Sequence, residues 1–274
     1  MPENEPIICK PTPWFLFRAF LMLAMFSVFA VLFYKDGSTG YRKKNETFYL
    51  HKTFQQAQRE FSEMQGGGNL TPESWRSYAE KQVVAFPDDP GVLPADIQLP
   101  MPWPDVLADH EKMKPLKWNL LWREYTKQRG MNASPPEHAF DAKKIREQWI
   151  VFWICAALAL IALFFLVRTL GRKLVADGDA LTSQSGKRVP YAEMKRLDLR
   201  KWETKGLAFI EYEGSSGNGR IRIDGLTYGG FKQENGQPAE ALMKRVKSKF
   251  SGEILEYAPV ATEESPQHRD EGAS

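Results

Sequence analysis

The chain has 274 residues, 43% of them hydrophobic and 26% charged, with 37 Lys and Arg against 34 Asp and Glu for a net charge of +3. So small an excess argues against a nucleic-acid binder, and the two cysteines are too few for a disulfide-built or Cys-ligated zinc domain. A mean hydropathy of −0.43 conceals two apolar runs that divide the chain.

Residues 1–13 read as an N-terminal tail. Its cysteine, Cys9, follows no apolar run and no small residues, so a lipoprotein-type anchor is not expected. Residues 14–34, WFLFRAFLMLAMFSVFAVLFY, carry a single charge. About 20 mostly apolar residues cross a ~30 Å hydrocarbon core as a helix, and the run lacks the polar face of a soluble helix. Trp14 and Tyr34 bracket it at headgroup level, and Arg18 lies close enough to one end to snorkel. Val28-Phe29-Ala30 mimics a small-x-small cleavage site, but the apolar stretch continues past it, which favours an uncleaved anchor.

Residues 35–148 hold 17 Lys and Arg against 16 Asp and Glu and read as a helical domain between the spans. Phe48, Phe54 and Phe61 give residues 41–65 a partial apolar face, and Gly66-Gly67-Gly68 ends that helix. Thr71 is placed to cap the next helix, with Pro72 at its first position, and that helix is expected to reach about Ala85. Six prolines make residues 86–104 an extended strap. In residues 116–129, Trp118, Leu121, Trp122 and Tyr125 share one helical face and suit a small core. Pro135-Pro136 breaks the chain, and from Glu137 a helix runs without a breaker into the second span. Residues 149–170 form that span, uncharged from 149 to 167. Ala156, Ala159 and Ala162 repeat on it at spacing three, which lets helices approach closely in lipid. The stripe is read either as a packing face or as the ordinary abundance of alanine in spans.

From 171 to 257 the pattern changes to short alternating strands: residues 173–177, 180–184, 194–200, 207–213 and 219–225. An amphipathic helix at 238–250 places Leu242, Val246 and Phe250 on one stripe. Strands closed by one helix imply a bent antiparallel sheet or partial barrel under a helical cap. Residues 258–274 are polar and read as a disordered tail. The fold class is therefore membrane α+β.

Val189-Pro190-Tyr191-Ala192-Glu193-Met194 opens the run VPYAEMKRLDLRKWETKGLAFIEYE, which is followed by RIRIDGLTYGG and the terminal helix. This arrangement resembles the pleckstrin-homology-like domains that follow spans in bacterial membrane proteins, and it covers roughly residues 172–257. The resemblance implies a binding or assembly module and a cytoplasmic C-terminal domain in a bacterial inner membrane. The charge count points the other way: Lys35, Arg42, Lys43, Lys44, Lys143, Lys144 and Arg146 flank the loop side, where the positive-inside rule puts the cytoplasm, although that rule weakens for a loop this long.

Catalytic signatures are absent from the sequence. His51, His110, His138 and His268 form no HExxH pair, the adjacent Asp109-His110-Glu111 side chains diverge on a helix, and no glycine run carries the GK[ST] of a phosphate loop. The reading is a non-enzyme with no metal, cofactor or evident small-molecule substrate. The basic residues Arg172, Lys173, Lys187, Arg188, Arg196, Arg200 and Lys201 are the candidate contacts for a lipid head or partner, since clusters beside a bilayer attract anionic heads at about 1 kcal/mol per charge. The expected function is a two-span scaffold or recruitment module whose partners are the bilayer and a protein or a second copy. The alternative is a structural subunit of a larger membrane transport or envelope-assembly complex.

Overall fold

A computed structural model describes residues 5–114 and 118–257. The expected tail at 258–274, the start of the expected helix at 116–129 and the Trp118 side chain lie outside the described residues. The chain divides into two units: Met1–Leu23 with Ile161–Ser274, and Ala24–Leu160.

Helical backbone runs unbroken from Pro13 to Gly66: α1 (Pro13–Lys35), one π-helical turn (Asp36–Gly40) and α2 (Tyr41–Gly66). Two shorter helices, α3 (Pro72–Ala79) and α4 (Trp118–Gln128), follow, and then α5 (Ala142–Leu170). At 1.5 Å per residue, α1 is about 35 Å long and α5 about 44 Å, and both are long and apolar enough to cross a membrane. Their large apolar side chains face outward: Phe20 is 61% exposed and Leu160 67%. Ala156, Ala159 and Ala162 are half-buried, on the inward side of α5 with the buried Cys155.

In the unit Ala24–Leu160, α2 buries Leu50, Phe54, Ala57 and Phe61, which share one face at helical spacing. Trp75 and Ala79 of α3 and Leu121, Trp122 and Tyr125 of α4 join them, with Trp103 and Leu107 from the proline-rich strap. Thr71 caps α3 in a reciprocal box, its hydroxyl accepting from the Ser74 amide at 3.1 Å while Ser74 Oγ accepts from the Thr71 amide at 2.9 Å. The helix ends at Ala79, short of the expected Ala85, because Val83 leaves the helical path to bridge Pro102. The buried Asn45 joins three segments: its amide donates to the carbonyls of Val92 (2.9 Å) and Phe140 (2.7 Å), and its oxygen accepts from the Phe140 amide (2.7 Å).

The π turn is fixed by polar contacts. The Gly37 carbonyl accepts from Arg42 Nη1 at 2.6 Å and from Trp149 Nε1 at 3.1 Å, and Arg42 also donates to Ser38 O and Gly91 O. A Cβ on Gly37 would lie 3.1 Å from Trp149 Nε1, so glycine admits the indole. Tyr34 packs edge-on against Trp149, with ring centroids 5.6 Å apart.

The other unit contains two four-stranded sheets. The first has β1 (Ile7–Cys9), β2 (Leu174–Ala176), β3 (Ala180–Thr182) and β4 (Arg188–Pro190) in order and antiparallel. The second has the order β7 (Gly217–Asp224), β6 (Leu207–Gly214), β5 (Met194–Lys201), β8 (Glu253–Leu255), with β8 parallel to β5. The short helix α6 (Trp202–Lys205) links β5 to β6, and α7 (Pro238–Lys249) buries Ala239, Leu242, Met243 and Val246 in the common core. Strand β1 is a departure from the expected tail. Residues ahead of the first apolar run pair Cys9 with Leu174 and Ile7 with Ala176, and Cys9 is 1% exposed within the core.

Candidate functional site

The seven basic residues singled out from the sequence do not form one patch. Arg196 lies on β5 between Glu211 (3.2 Å) and Glu253 (2.9 Å), tying β5 to both neighbouring strands. Arg200 grips Asp198 with two nitrogens, at 3.0 and 2.8 Å, and Arg220 approaches the same carboxylate while lying 4.0 Å from the centre of the Phe209 ring. The Arg200 hydrogen bonds hold the Asp198 carboxyl down to about 2. Arg188 pairs with Asp177, and Lys187 donates to the Ser216 carbonyl. Of the seven candidates, Lys187, Arg188, Arg196 and Arg200 therefore already have anionic or carbonyl partners, and exposed pairs of this kind add little stability. Among the described residues, Arg172, Lys173 and Lys201 have no carboxylate within ion-pair distance.

Arg172 and Lys173 directly follow α5, and the sequence reading missed what stands beside them. The GLTYGG segment after β7 is a built loop. Gly225 N donates to Gly206 O, Tyr228 N to Asp224 O, Gly230 N to Gly225 O, and Thr227 N to Asp224 Oδ1. The loop then grips the residues before α1. Gly229 N donates to Lys10 O at 2.9 Å, Thr12 N to Thr227 O at 2.8 Å, and Thr12 Oγ1 to Leu226 O at 3.1 Å. The same hydroxyl accepts from the Phe15 amide at 3.3 Å, capping the first turn of α1.

Gly229 makes the approach possible. Its φ is +88°, and a Cβ there would stand 2.8 Å from Cys9 Sγ and 2.9 Å from the Ala239 amide. Cys9 Sγ donates to Pro238 O at 3.3 Å, and burial pushes its thiol up to about 12, so it is an inert core group. Tyr228 is 5% exposed, and the charges of Arg168 and Arg172 at the end of α5 act on its hydroxyl. One loop therefore grips the start of α1 and stands near the end of α5. Only the glycines and the tyrosine were visible in sequence; their partners are remote.

At the opposite end of β7, the Glu193 carboxylate accepts from the amides of Ser215 (3.1 Å) and Ser216 (3.0 Å) and from the Ser215 hydroxyl, fixing the β6–β7 hairpin. Those serines hold its carboxyl below the usual range. Glu193 of the V-P-Y-x-E motif thus fastens a turn. No group of three or more His, Cys, Asp and Glu side chains is placed to hold a metal ion among the described residues. Comparison of the chain with models of protein families, with curated proteins and with solved structures finds no match.

Proposed function

We propose that the chain is a two-span integral membrane protein whose β unit, built from residues on both sides of the helices, is a pleckstrin-homology-like recruitment module at the membrane surface. The pairing of β1 with β2 carries this reading. It joins the segment before α1 to the segment after α5 in one sheet, so the outer ends of both helices lie on one side and the number of crossings is even. The same pairing weighs against a cleaved leader, since cleavage within the first run would remove β1 and take Cys9 from the core. Most of the large apolar side chains along α1 and α5 are exposed, as helices that face lipid rather than water would leave them.

Two sheets closed by one helix, the arrangement the resemblance implies, favour docking of a protein or a lipid head. The resemblance favours a cytoplasmic β unit in a bacterial inner membrane. Cysteine accessibility in whole cells tests the reading, because the native Cys9 and Cys155 are buried. Glu5→Cys and Asn218→Cys should label from one face and Ser134→Cys from the other. Labelling of all three from one face, or extraction of the intact chain by alkaline carbonate, overturns the proposal.

A further inference from the structure

We infer that the loop at 225–232 is a lipid-surface anchor, with Leu226 seated among the headgroups and the surrounding cations holding anionic lipid. The inference rests on the reading of α1 and α5 as spans and adds the β unit's contact with the bilayer. Leu226 is 57% exposed, although its backbone is held from both sides. Its carbonyl is bound by Thr12, the residue that caps α1, and Trp14 lies two residues further on, where an aromatic ring would mark the headgroup level. Tyr228, two residues after Leu226, lies near Arg168 and Arg172 at the end of α5. A loop hydrogen-bonded to Lys10 and Thr12, the residues just ahead of α1, lies at the level where that span leaves the bilayer.

The charges agree with an anionic surface. Lys10, Arg168, Lys205 and Lys232 are exposed and Arg172 half-buried, and each belongs to a segment in contact with the loop. The nearby acids are mostly engaged: Asp224 holds Arg222 at 2.7 Å and the Thr227 amide, and Glu240 accepts from Trp202 Nε1 at 3.1 Å. Among the described residues, Glu203 on α6 and Glu234, two residues after Lys232, are exposed acids beside the group with no cation at ion-pair distance. Basic residues near a bilayer strengthen an apolar contact that a single leucine could not hold.

The test uses the full chain in nanodiscs, labelled in turn at Leu226→Cys, Asn218→Cys and Phe164→Cys with an environment-sensitive fluorophore. Quenching is read from lipids bearing a spin label near the headgroup or deep in the acyl chain. Phe164→Cys quenched by the deep label establishes the spans. Leu226→Cys should be quenched by the shallow label, and Asn218→Cys, about 20 Å along β7 at the strand rise, should not. Adding anionic lipid should raise the Leu226 quenching at least about twofold, and Lys10→Gln with Lys232→Gln should remove that gain. Quenching at Phe164 with none at Leu226, or quenching at Leu226 indifferent to anionic lipid, overturns the anchor and leaves the spans intact. Absence of quenching at Phe164 overturns the spans, and the anchor with them.

Discussion

Replacing Asn45 with alanine should destabilise the unit Ala24–Leu160 by about 3 kcal/mol. The side chain is fully buried and satisfies three backbone groups: the Val92 carbonyl and both the carbonyl and the amide of Phe140. Each buried polar group left unpaired costs about 1–3 kcal/mol, and partial relaxation keeps the total near the lower part of the sum. Asn45→Asp is the sharper perturbation. It keeps the shape and one acceptor but loses both donors, and it sets a carboxylate against two carbonyl oxygens in a buried site, so it should cost more than alanine. Thermal unfolding in mild detergent, followed by the fluorescence of the buried Trp75, Trp103 and Trp122, should show a midpoint lowered by about 10 °C for alanine. Alanine within about 0.5 kcal/mol of the parent, or aspartate no worse than alanine, would refute the role assigned to this amide.

Gly229→Val should free the N-terminal strand, because the new side chain meets Cys9 Sγ and the Ala239 amide at a φ of +88°; rapid protease clipping before α1 would register it, at a cost of about 3 kcal/mol or more. Cys9 should resist maleimide at pH 8 while Asn218→Cys reacts quickly. The folded thiol is raised to about 12 from an ordinary value of 9.0. The folded state therefore keeps a proton that the unfolded chain loses, so stability should be level below pH 9 and fall between pH 9 and 12 by up to about 1.4 kcal/mol per pH unit. Gly37→Leu should displace the Trp149 indole from its notch, losing about 2 kcal/mol and shifting tryptophan emission, whereas Gly37→Ser should do less.

Length and periodicity made the helices legible. A run such as 149–167 announces a helix long and apolar enough to cross a membrane, and the Leu50, Phe54, Ala57, Phe61 face follows from helical spacing alone. The Thr71 cap was readable because its partners are three residues away. The π turn left no mark in the sequence: the helix runs on through Gly37, Ser38 and Gly40 because Arg42 and Trp149, remote or on the next turn, satisfy the exposed carbonyl of Gly37. Strand β1 was hidden for a different reason. Three residues, Ile7–Cys9, carry no usable alternation, and their partner follows both apolar helices. The basic candidates were legible as charges, but which ones are free was not, since Arg196 and Arg200 find their carboxylates across the sheet or two residues along the same strand. The loop at 225–232 suffered most, because its role lies in bonds to residues 10–12.

The separation of β1 from β2 bears on how the protein is made. Cys9 leaves the ribosome first, and its partner Leu174 follows some 165 positions later, about 10–30 s at ordinary synthesis rates. Through that interval the N-terminal strand has no neighbour, and both hydrophobic helices must be synthesised before it gains one. If the two helices span a membrane as proposed, the finished sheet records that both were inserted from one side, and a nascent chain whose second helix goes astray carries an unclosed β unit open to proteolysis.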